Sequence, residues 1–327
     1  MRFTLLTLLF APALHAIEIP ALSEPVTSFG AAVTEGYLYT YGGHMAESHS
    51  WSLPTTSGAL QRINLKEPGK WEALSSGPQV QSPGVAAADG KVYLIGGMQP
   101  QNGQGEDPVL KSLDHALVFD TKTSQWSELP KLPEPRSSHD VAILNNKLYV
   151  VGGWPLNTAK DSADEAPDDR HAERAFHDKG LVLDLANPGA GWQSFEQPFQ
   201  RRAIALVALA GKLYVLGGMD AENKVSAEAD VYDIASKTWS KLPEMPVEGR
   251  TKGFATAACE VDGELIASPR GGKIFALRND TWQEAGKLEQ SRYFHQLEPL
   301  DDGRVIALGG TSGDEPLDDV EVAKIKK

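Results

Sequence analysis

Short apolar runs that alternate with polar residues recur along the whole chain, and a glycine pair ends five of them. Each run has the length of a β-strand and carries β-branched or aromatic residues, often tyrosine. A tryptophan opens a further run about 26 residues before most of the pairs. A repeat near 50 residues with these two marks predicts a β-propeller of four-stranded blades. The pairs start at Gly42, Gly96, Gly152, Gly217 and Gly309, and the tryptophans are Trp71, Trp126, Trp192, Trp239 and Trp282.

Each repeat is interpreted as strand a, a tight turn, strand b ending in Gly-Gly, a loop, strand c, a tight turn, and strand d starting with tryptophan. Hairpin signals such as Asp89-Gly90 mark the turns between strands a and b. The interval between Gly217 and Gly309 is nearly twice the usual one. A degenerate repeat fits there, with 264–268 as strand b and Pro269-Arg270 in place of the glycine pair. The pattern therefore predicts six blades.

The last blade lacks a strand d at the C-terminal end of the chain. The segment from Ile17 to Leu22 fits the strand d template seen at 126–132, with Ala16 in the tryptophan position. We expect this segment to pair with strand c of blade 6. Such closure removes the open strand edges that invite aggregation.

These features resemble the kelch-repeat family over the whole mature chain. The resemblance rests on the Gly-Gly pairs, the tyrosines before them, the strand d tryptophans and the segment Pro135 to His139 before a strand a. It implies an all-β fold, a six-bladed kelch β-propeller closed by the N-terminal strand. The tryptophans and strand b tyrosines are expected to pack one blade on the next.

The first sixteen residues, 1–16, differ from the repeats. A positive start, an apolar run and small residues predict a secretory signal peptide, cleaved after Ala16 or Ala13. The propeller then spans 17–327. Cys259 is the only cysteine, so no disulfide can form within the chain. We expect a periplasmic or secreted protein without membrane insertion, and a monomer.

The net charge of −13 argues against nucleic acid and anionic membrane surfaces as partners. The connections between strand d and the next strand a nevertheless gather positive charge. Strand order places them on one face with the b–c loops, around the axial mouth. Arginine binds carboxylates through two parallel hydrogen bonds, which predicts a site for an anionic ligand. The alternative is that these arginines bond backbone carbonyls and acidic neighbours. The candidate residues are Arg136, Arg201, Arg250 and Arg292, with His139 and His295 each three residues after an arginine. The kelch resemblance implies ligand contact best for Arg136 and Arg292.

The b–c loops supply further candidates. His44 and Trp154 directly follow glycine pairs, and an aromatic side chain beside a polar pocket suits sugar or peptide contact. The alternative is that Trp154 anchors its loop. The long blade 3 loop, 154–177, is acidic and predicts a functional or solvated lid. No ligand spacing in it matches a known metal site, so we predict neither metal nor cofactor.

Two classes of function remain open. The first is an exported binding module for a peptide, protein or glycan ligand with an anionic group. The second is a sugar-acid epimerase or mutarotase, because the chain is also similar to exported N-acetylneuraminate epimerases. That family carries catalytic residues after a Gly-Glu, whereas no strand b here ends in Gly-Glu, so no catalytic residue is assigned. A galactose-oxidase-like copper enzyme needs a Tyr–Cys cross-link, and Cys259 lies in a strand without such a set.

Overall fold

The computed structural model describes residues 18–158 and 176–327, which form six antiparallel sheets arranged as the blades of a propeller. The prediction of an all-β, six-bladed kelch propeller is confirmed. The predicted signal peptide and residues 159–175 of the blade 3 loop lie outside the described residues.

The strands follow the predicted order a to d in each blade. Blade 1 contains β1 (Gly30–Thr34), β2 (Tyr37–Tyr41), β3 (Leu60–Asn64) and β4 (Glu72–Ala73). Blade 2 contains β5 (Gly84–Ala88), β6 (Lys91–Ile95), β9 (Ala116–Asp120) and β10 (Gln125–Glu128), with a small hairpin of β7 (Met98–Pro100) and β8 (Leu110–Ser112) in its b–c loop. Blade 3 contains β11 (Ser137–Leu144), β12 (Lys147–Trp154), β13 (Lys179–Asp184) and β14 (Gln193–Glu196).

The other three blades continue this order. Blade 4 contains β15 (Ala205–Leu209), β16 (Lys212–Leu216), β17 (Ala229–Asp233) and β18 (Thr238–Leu242). Blade 5 contains β19 (Ala257–Val261), β20 (Glu264–Ser268), β21 (Lys273–Arg278) and β22 (Thr281–Lys287). Blade 6 contains β23 (Gln296–Pro299), β24 (Arg304–Leu308) and β25 (Val320–Lys324). Two short 3-10 helices lie at Leu53–Thr55 and Pro188–Ala190.

The innermost strands contact one another in the cyclic order β1, β5, β11, β15, β19, β23, and β23 contacts β1. Six strands converging on one axis leave little room for side chains. A Cβ on Gly30 would lie 2.2 Å from the Val85 side chain of the next blade, and one on Gly84 would lie 2.5 Å from Val141. Small residues in these strands are therefore a steric requirement.

The glycine pairs join consecutive blades. The N–H of the second glycine donates to a carbonyl of the next blade at 2.8–2.9 Å, as from Gly97 to Arg136. A Cβ on the first glycine of that pair, Gly96, would lie 2.2 Å from the same carbonyl oxygen, and its φ is positive. The same bond joins Gly43 to Val80, Gly153 to Arg201, Gly218 to Gly253, and Gly310 to Val26.

The strand d tryptophans also join blades, as predicted. Each indole N–H donates to a carbonyl near the end of strand d in the preceding blade. These bonds run from Trp126 to Ser75, Trp192 to Pro130, Trp239 to Glu196 and Trp282 to Pro243, at 2.7–2.9 Å.

The N-terminal segment takes the place of strand d in blade 6. The Trp71 indole donates to the Pro20 carbonyl at 3.2 Å, the same bond as between the other blades. The Leu22 N–H donates to Asp318 at 2.8 Å, in the register predicted from the template. Strand d of blade 2, Gln125–Glu128, corresponds to 15–18, of which 15–17 lie outside the described residues, so the described part of blade 6 is a three-stranded sheet. Ile19 and Leu22 pack into a core cluster shared by blades 6 and 1.

Candidate functional site

Six residues that precede the innermost strands form a ring around the axial mouth, which we call the collar. All have φ between 50° and 55°, a left-handed conformation. Backbone N–H groups of five of them donate to the carbonyl of the equivalent residue in the preceding blade, at 2.6–3.2 Å. The collar therefore ties the blades together at the mouth. Its members are Ser28, Ser82, Ser138, Ala203, Ala255 and Phe294.

Three of the predicted arginines lie two residues before the collar and are turned into the protein. Arg136, Arg201 and Arg292 are 3%, 4% and 0% exposed. Each donates to the carbonyl of the first glycine in its own blade, at 2.8, 2.9 and 3.2 Å respectively. The geometry thus matches the structural alternative, and ligand contact at these three arginines stays a prediction.

Charge pairing strengthens this structural role. Arg201 pairs with the buried Asp230, and Arg292 pairs with Asp319 and Glu321. Arg136 has no ion pair among the described residues and bonds two carbonyls instead. Burial lowers the pKa of Arg136 to about 10. Removing such partners from a buried charge is costly, so these contacts give the three side chains a structural role in their blades.

Arg250 lies apart from the other three. It is exposed in a turn, and Gly253 occupies the position equivalent to Arg136 and Arg201. The prediction that Arg250 takes its place beside the other three arginines is therefore corrected. Arg250 lies three residues before Gly253, which occupies the equivalent position in the segment before blade 5.

His139 and His295 directly follow the collar and line an axial cavity of about 100 Å³. They are 5% and 3% exposed, and His295 Nε2 lies 3.0 Å from Ser268 Oγ. Burial, reinforced by Arg292, lowers the pKa of His295 to about 3. Burial, reinforced by Arg136, lowers the pKa of His139 well below its usual value. Both imidazoles are therefore neutral at pH 7.

His44 anchors its loop. It is 3% exposed, its backbone pairs with Thr27, and its Nε2 lies 3.1 Å from the Glu47 carbonyl. Burial lowers the pKa of His44. The structure thus does not bring His44 into the axial cavity with His139 and His295.

Trp154 lies at the mouth and begins a continuous row of aromatic rings and guanidinium groups. The Arg202 guanidinium lies 4.5 Å from the Trp154 ring and 5.6 Å from the Phe254 ring. Phe254 contacts Phe294 edge to face at 5.3 Å. Phe294 lies 5.0 Å from Tyr293, over which Arg270 is stacked at 4.2 Å. We call this row the floor: Trp154, Arg202, Phe254, Phe294, Tyr293 and Arg270.

The b–c connections of blades 4 to 6 are shorter than those of blades 1 to 3. Residues 155–178 separate strands b and c in blade 3, whereas only 269–272 separate them in blade 5. The residue just before the collar is small or buried in blades 1 to 3, and long and half-buried in blades 4 to 6. These residues are Thr27, Gln81 and Ser137 in the first group, and Arg202, Phe254 and Tyr293 in the second.

Our sequence analysis did not select Phe254, Tyr293, Phe294 or Arg270. An alignment of the six segments before strand a contains the signal, because the position before the collar changes from small to long at blade 4. This change in residue size can be recognised only when the collar residues are known, because they define the alignment.

The b–c loops of blades 1 and 6 carry acidic residues. Glu47 in the blade 1 loop and Asp314 and Glu315 in the blade 6 loop are exposed. The Ser48 N–H donates to the Asp314 carbonyl at 2.9 Å, which joins these loops. Burial together with the neighbouring Glu47 and Asp314 raises the pKa of Glu315. The loops of blades 1 and 6 therefore add negative charge near the Tyr293 end of the floor.

Six blades, with Gly-Gly and tryptophan bonds at five of their six junctions among the described residues, define a kelch-type β-propeller. The kelch motif family matches residues 81–133 and 200–246. The chain thus contains kelch motifs and has the kelch β-propeller fold. Kelch propellers commonly act as protein-interaction modules.

The sequence of this chain is similar to those of known kelch proteins. Kelch-like protein terF of Aspergillus terreus is 25% identical over 268 residues, which cover 79% of this chain and 52% of that protein. Mouse Kelch domain-containing protein 1 is 31% identical over 156 residues, 46% of this chain and 34% of that protein. The chain spans about half or less of the length of the curated relatives it matches.

A solved structure, "Structure of YjhT", superimposes with a TM-score of 0.77 at 19% identity, covering 94% of this chain and 97% of that one. At this identity the likeness shows the fold alone. In the described ranges no helix is long and apolar enough to span a membrane. The same ranges contain no group of three or more His, Cys, Asp or Glu side chains placed to hold a metal ion.

Proposed function

We propose that this chain is a binding module whose ligand lies on the floor and carries an anionic group. The observation that carries the proposal is the unbroken row from Trp154 to Arg270, in which each guanidinium is stacked on a ring. Stacking leaves the in-plane N–H donors of arginine in a defined orientation. A guanidinium group held in this way can donate two parallel hydrogen bonds to a carboxylate or phosphate, and its side chain loses little further conformational freedom on binding.

The electrostatic setting supports an anion on this side of the mouth. The chain carries a net charge of −13, yet Arg202 and Arg270 are presented together on the floor, with Arg250 and Lys252 exposed in the adjoining segment. Local positive charge on an acidic protein steers anionic ligands to one place. The acidic residues around Glu47 repel anionic ligands.

A ligand screen with matched variants tests the proposal. Sugar acids and acidic peptides are assayed by thermal shift and titration calorimetry against the mature protein and Arg202→Gln. Arg304→Gln is the control, since Arg304 pairs with Asp302 at an a–b turn on the opposite face. A charged hydrogen bond contributes about 1.5–3 kcal/mol, so Arg202→Gln should weaken binding by about tenfold or more.

The control should bind like the unmodified protein. Full affinity in both Arg202→Gln and Trp154→Ala would place the site elsewhere and refute the proposal.

Sugar-acid turnover stays a prediction, and the same screen extends to it. Proton NMR of each sugar acid that binds would reveal anomer or epimer conversion. Export likewise stays a proposal, supported by the apolar leader 1–16 and its small residues.

A further inference from the structure

We infer that the propeller opens between blades 5 and 6, and that Ile325 and Lys326 near the C-terminus act as a latch on this junction. The other five junctions share three kinds of hydrogen bond: from a glycine pair, from a collar residue and from a tryptophan. The described residues contain none of the three between blades 5 and 6. Each blade contacts only its two neighbours, so the junction with the fewest bonds separates most easily.

The degenerate repeat of blade 5 accounts for the missing bonds. Pro269 and Arg270 replace the glycine pair, and in the described ranges no backbone bond joins Arg270 to blade 6. The collar is interrupted at the same place, because the Phe294 N–H does not donate to the Ala255 carbonyl. The strand d template places Ala16 at the tryptophan position of blade 6, and alanine has no indole N–H. The bonds that repeat around the ring therefore stop at this junction.

Apolar packing at this junction also lacks large contacts. The buried cluster at each of the other five junctions contains at least one aromatic side chain, such as Phe119 between blades 1 and 2 or Trp282 between blades 4 and 5. The cluster described between blades 5 and 6 contains no aromatic side chain and five alanines. An aromatic side chain buries far more apolar surface than an alanine does. The packing therefore does not compensate for the missing hydrogen bonds.

The latch supplies a different set of bonds. β22 has a bulge at Ala285, where its pairing with β21 shifts, and the Ala285 carbonyl accepts the Lys326 N–H at 2.7 Å. The Lys326 carbonyl accepts from Arg278 Nη2 at 2.6 Å, and Glu264 holds that guanidinium through two bonds of 2.7 Å. Ile325 is buried in the apolar cluster between the two blades. Release of these few contacts therefore frees the outer part of blade 6 from blade 5.

The contacts at the mouth end of the junction use side chains. His295 Nε2 lies 3.0 Å from Ser268 Oγ, and the Gly271 N–H donates to Ser291 Oγ at 3.1 Å. Such contacts are lost by a change of side-chain rotamer, without a change in the strands. The latch lies at the other end, where strand c of blade 6 finishes. It therefore holds the end of the junction that the mouth contacts do not reach.

Cys259 provides a natural probe of this opening. It is the only cysteine of the chain, is 7% exposed and belongs to the cluster between blades 5 and 6. A thiol reagent reaches it only when that cluster opens. Val207 holds the same third position of strand a in blade 4 and is buried in the cluster between blades 4 and 5. The double variant Cys259→Val, Val207→Cys thus moves the thiol to a junction that has all three bonds.

The experiment measures the rate at which a chromogenic disulfide reagent labels the thiol of the mature protein, without urea and at urea concentrations below unfolding. Cys259 should react at least about tenfold faster than the thiol at position 207. Its rate should depend little on urea, because local opening exposes much less surface than global unfolding.

Two variants test the latch. Arg278→Gln and a chain ending at Lys324 should each label Cys259 at least about tenfold faster than the unmodified protein, because a hydrogen bond to a charged group is removed. The low urea dependence should persist in both. Arg304→Gln is the control, since Arg304 pairs with Asp302 at a turn of blade 6 without contacting the latch, and it should label at the unmodified rate.

Three results would overturn the inference. The first is an equal rate for the thiols at positions 259 and 207. The second is a urea dependence of Cys259 labelling as steep as that of global unfolding, in the unmodified protein or in a variant. The third is an unchanged rate in Arg278→Gln, which decides the role of the latch by itself if the shortened chain does not fold.

Discussion

Replacing Glu298 by glutamine tests the electrostatics of the axial channel. Glu298 in β23 and Asp140 in β11 line a cavity of about 250 Å³, and no lysine or arginine lines it with them. Burial, with the charge of Asp140 as a second cause, raises the pKa of Glu298 to about 8 from 4.5. Burial also raises the pKa of Asp140 to about 7, although its oxygens accept N–H groups of Val141 and Leu206.

The direction of the pH effect follows from these shifts. Below pH 4.5 the carboxyl is mostly neutral in both the folded and unfolded chain, so its ionisation has little influence on stability. Between pH 4.5 and 8 the Glu298 carboxyl loses its proton in the unfolded chain but keeps it in the folded chain. The free energy of unfolding therefore falls as the pH rises. At about 1.4 kcal/mol per pH unit, the full effect is at most about 5 kcal/mol. Glu298 is only half-buried, so we expect roughly 2–4 kcal/mol.

The assay is urea denaturation of the mature protein at pH 5 and pH 9. Glu298→Gln should have nearly the unmodified stability at pH 5 and be more stable by roughly 2–4 kcal/mol at pH 9. Glu222→Gln, in an exposed loop, is the control and should follow the unmodified protein at both values. If Glu298→Gln shows the same pH dependence as the unmodified protein, the carboxyl ionises without cost and the reasoning is refuted.

Three further predictions concern the scaffold and its export. Arg201→Ala should destabilise the fold by about 3 kcal/mol in urea because the buried Asp230 loses its buried partner and keeps only the exposed Lys241, whereas Arg202→Gln should change stability by less than about 1 kcal/mol. Equal effects would contradict their opposite orientations. A chain starting at Ser28 should melt lower or aggregate because the segment that closes blade 6 is gone. An unchanged melting temperature would show that closure is dispensable. Mass spectrometry of protein made in a Gram-negative host should find Ile17 or Leu14 at the N-terminus, and a retained initiator methionine would count against export.

The number of blades and their register could be predicted from sequence because the repeat acts through short-range chemistry. A Gly-Gly pair permits positive φ and close passage of another segment of the chain, and five of the six blades contact the next blade through such a pair. The register of the N-terminal segment was correct to the residue, as Leu22 shows.

Which arginine faces the mouth was decided by tertiary structure. Arg201 and Arg202 are adjacent, chemically identical and equally plausible as ligand contacts. Consecutive residues of an extended segment point to opposite sides, so one side chain turns to Gly217 and Asp230 and the other to the mouth. The sequence alone does not show which side of this extended segment faces the protein interior.

The place of the floor also depended on contacts between distant segments. Phe254, Tyr293 and Arg270 come from blades 5 and 6, and Trp154 from blade 3. They form one row because the collar brings the connections before the six innermost strands to one mouth. The repeat thus determined the scaffold, since each blade interacts with its neighbour by the same local rule. The proposed site lies where the repeats differ, at the residues before the collar and in the b–c connections. These residues come together only when the six blades form a closed ring.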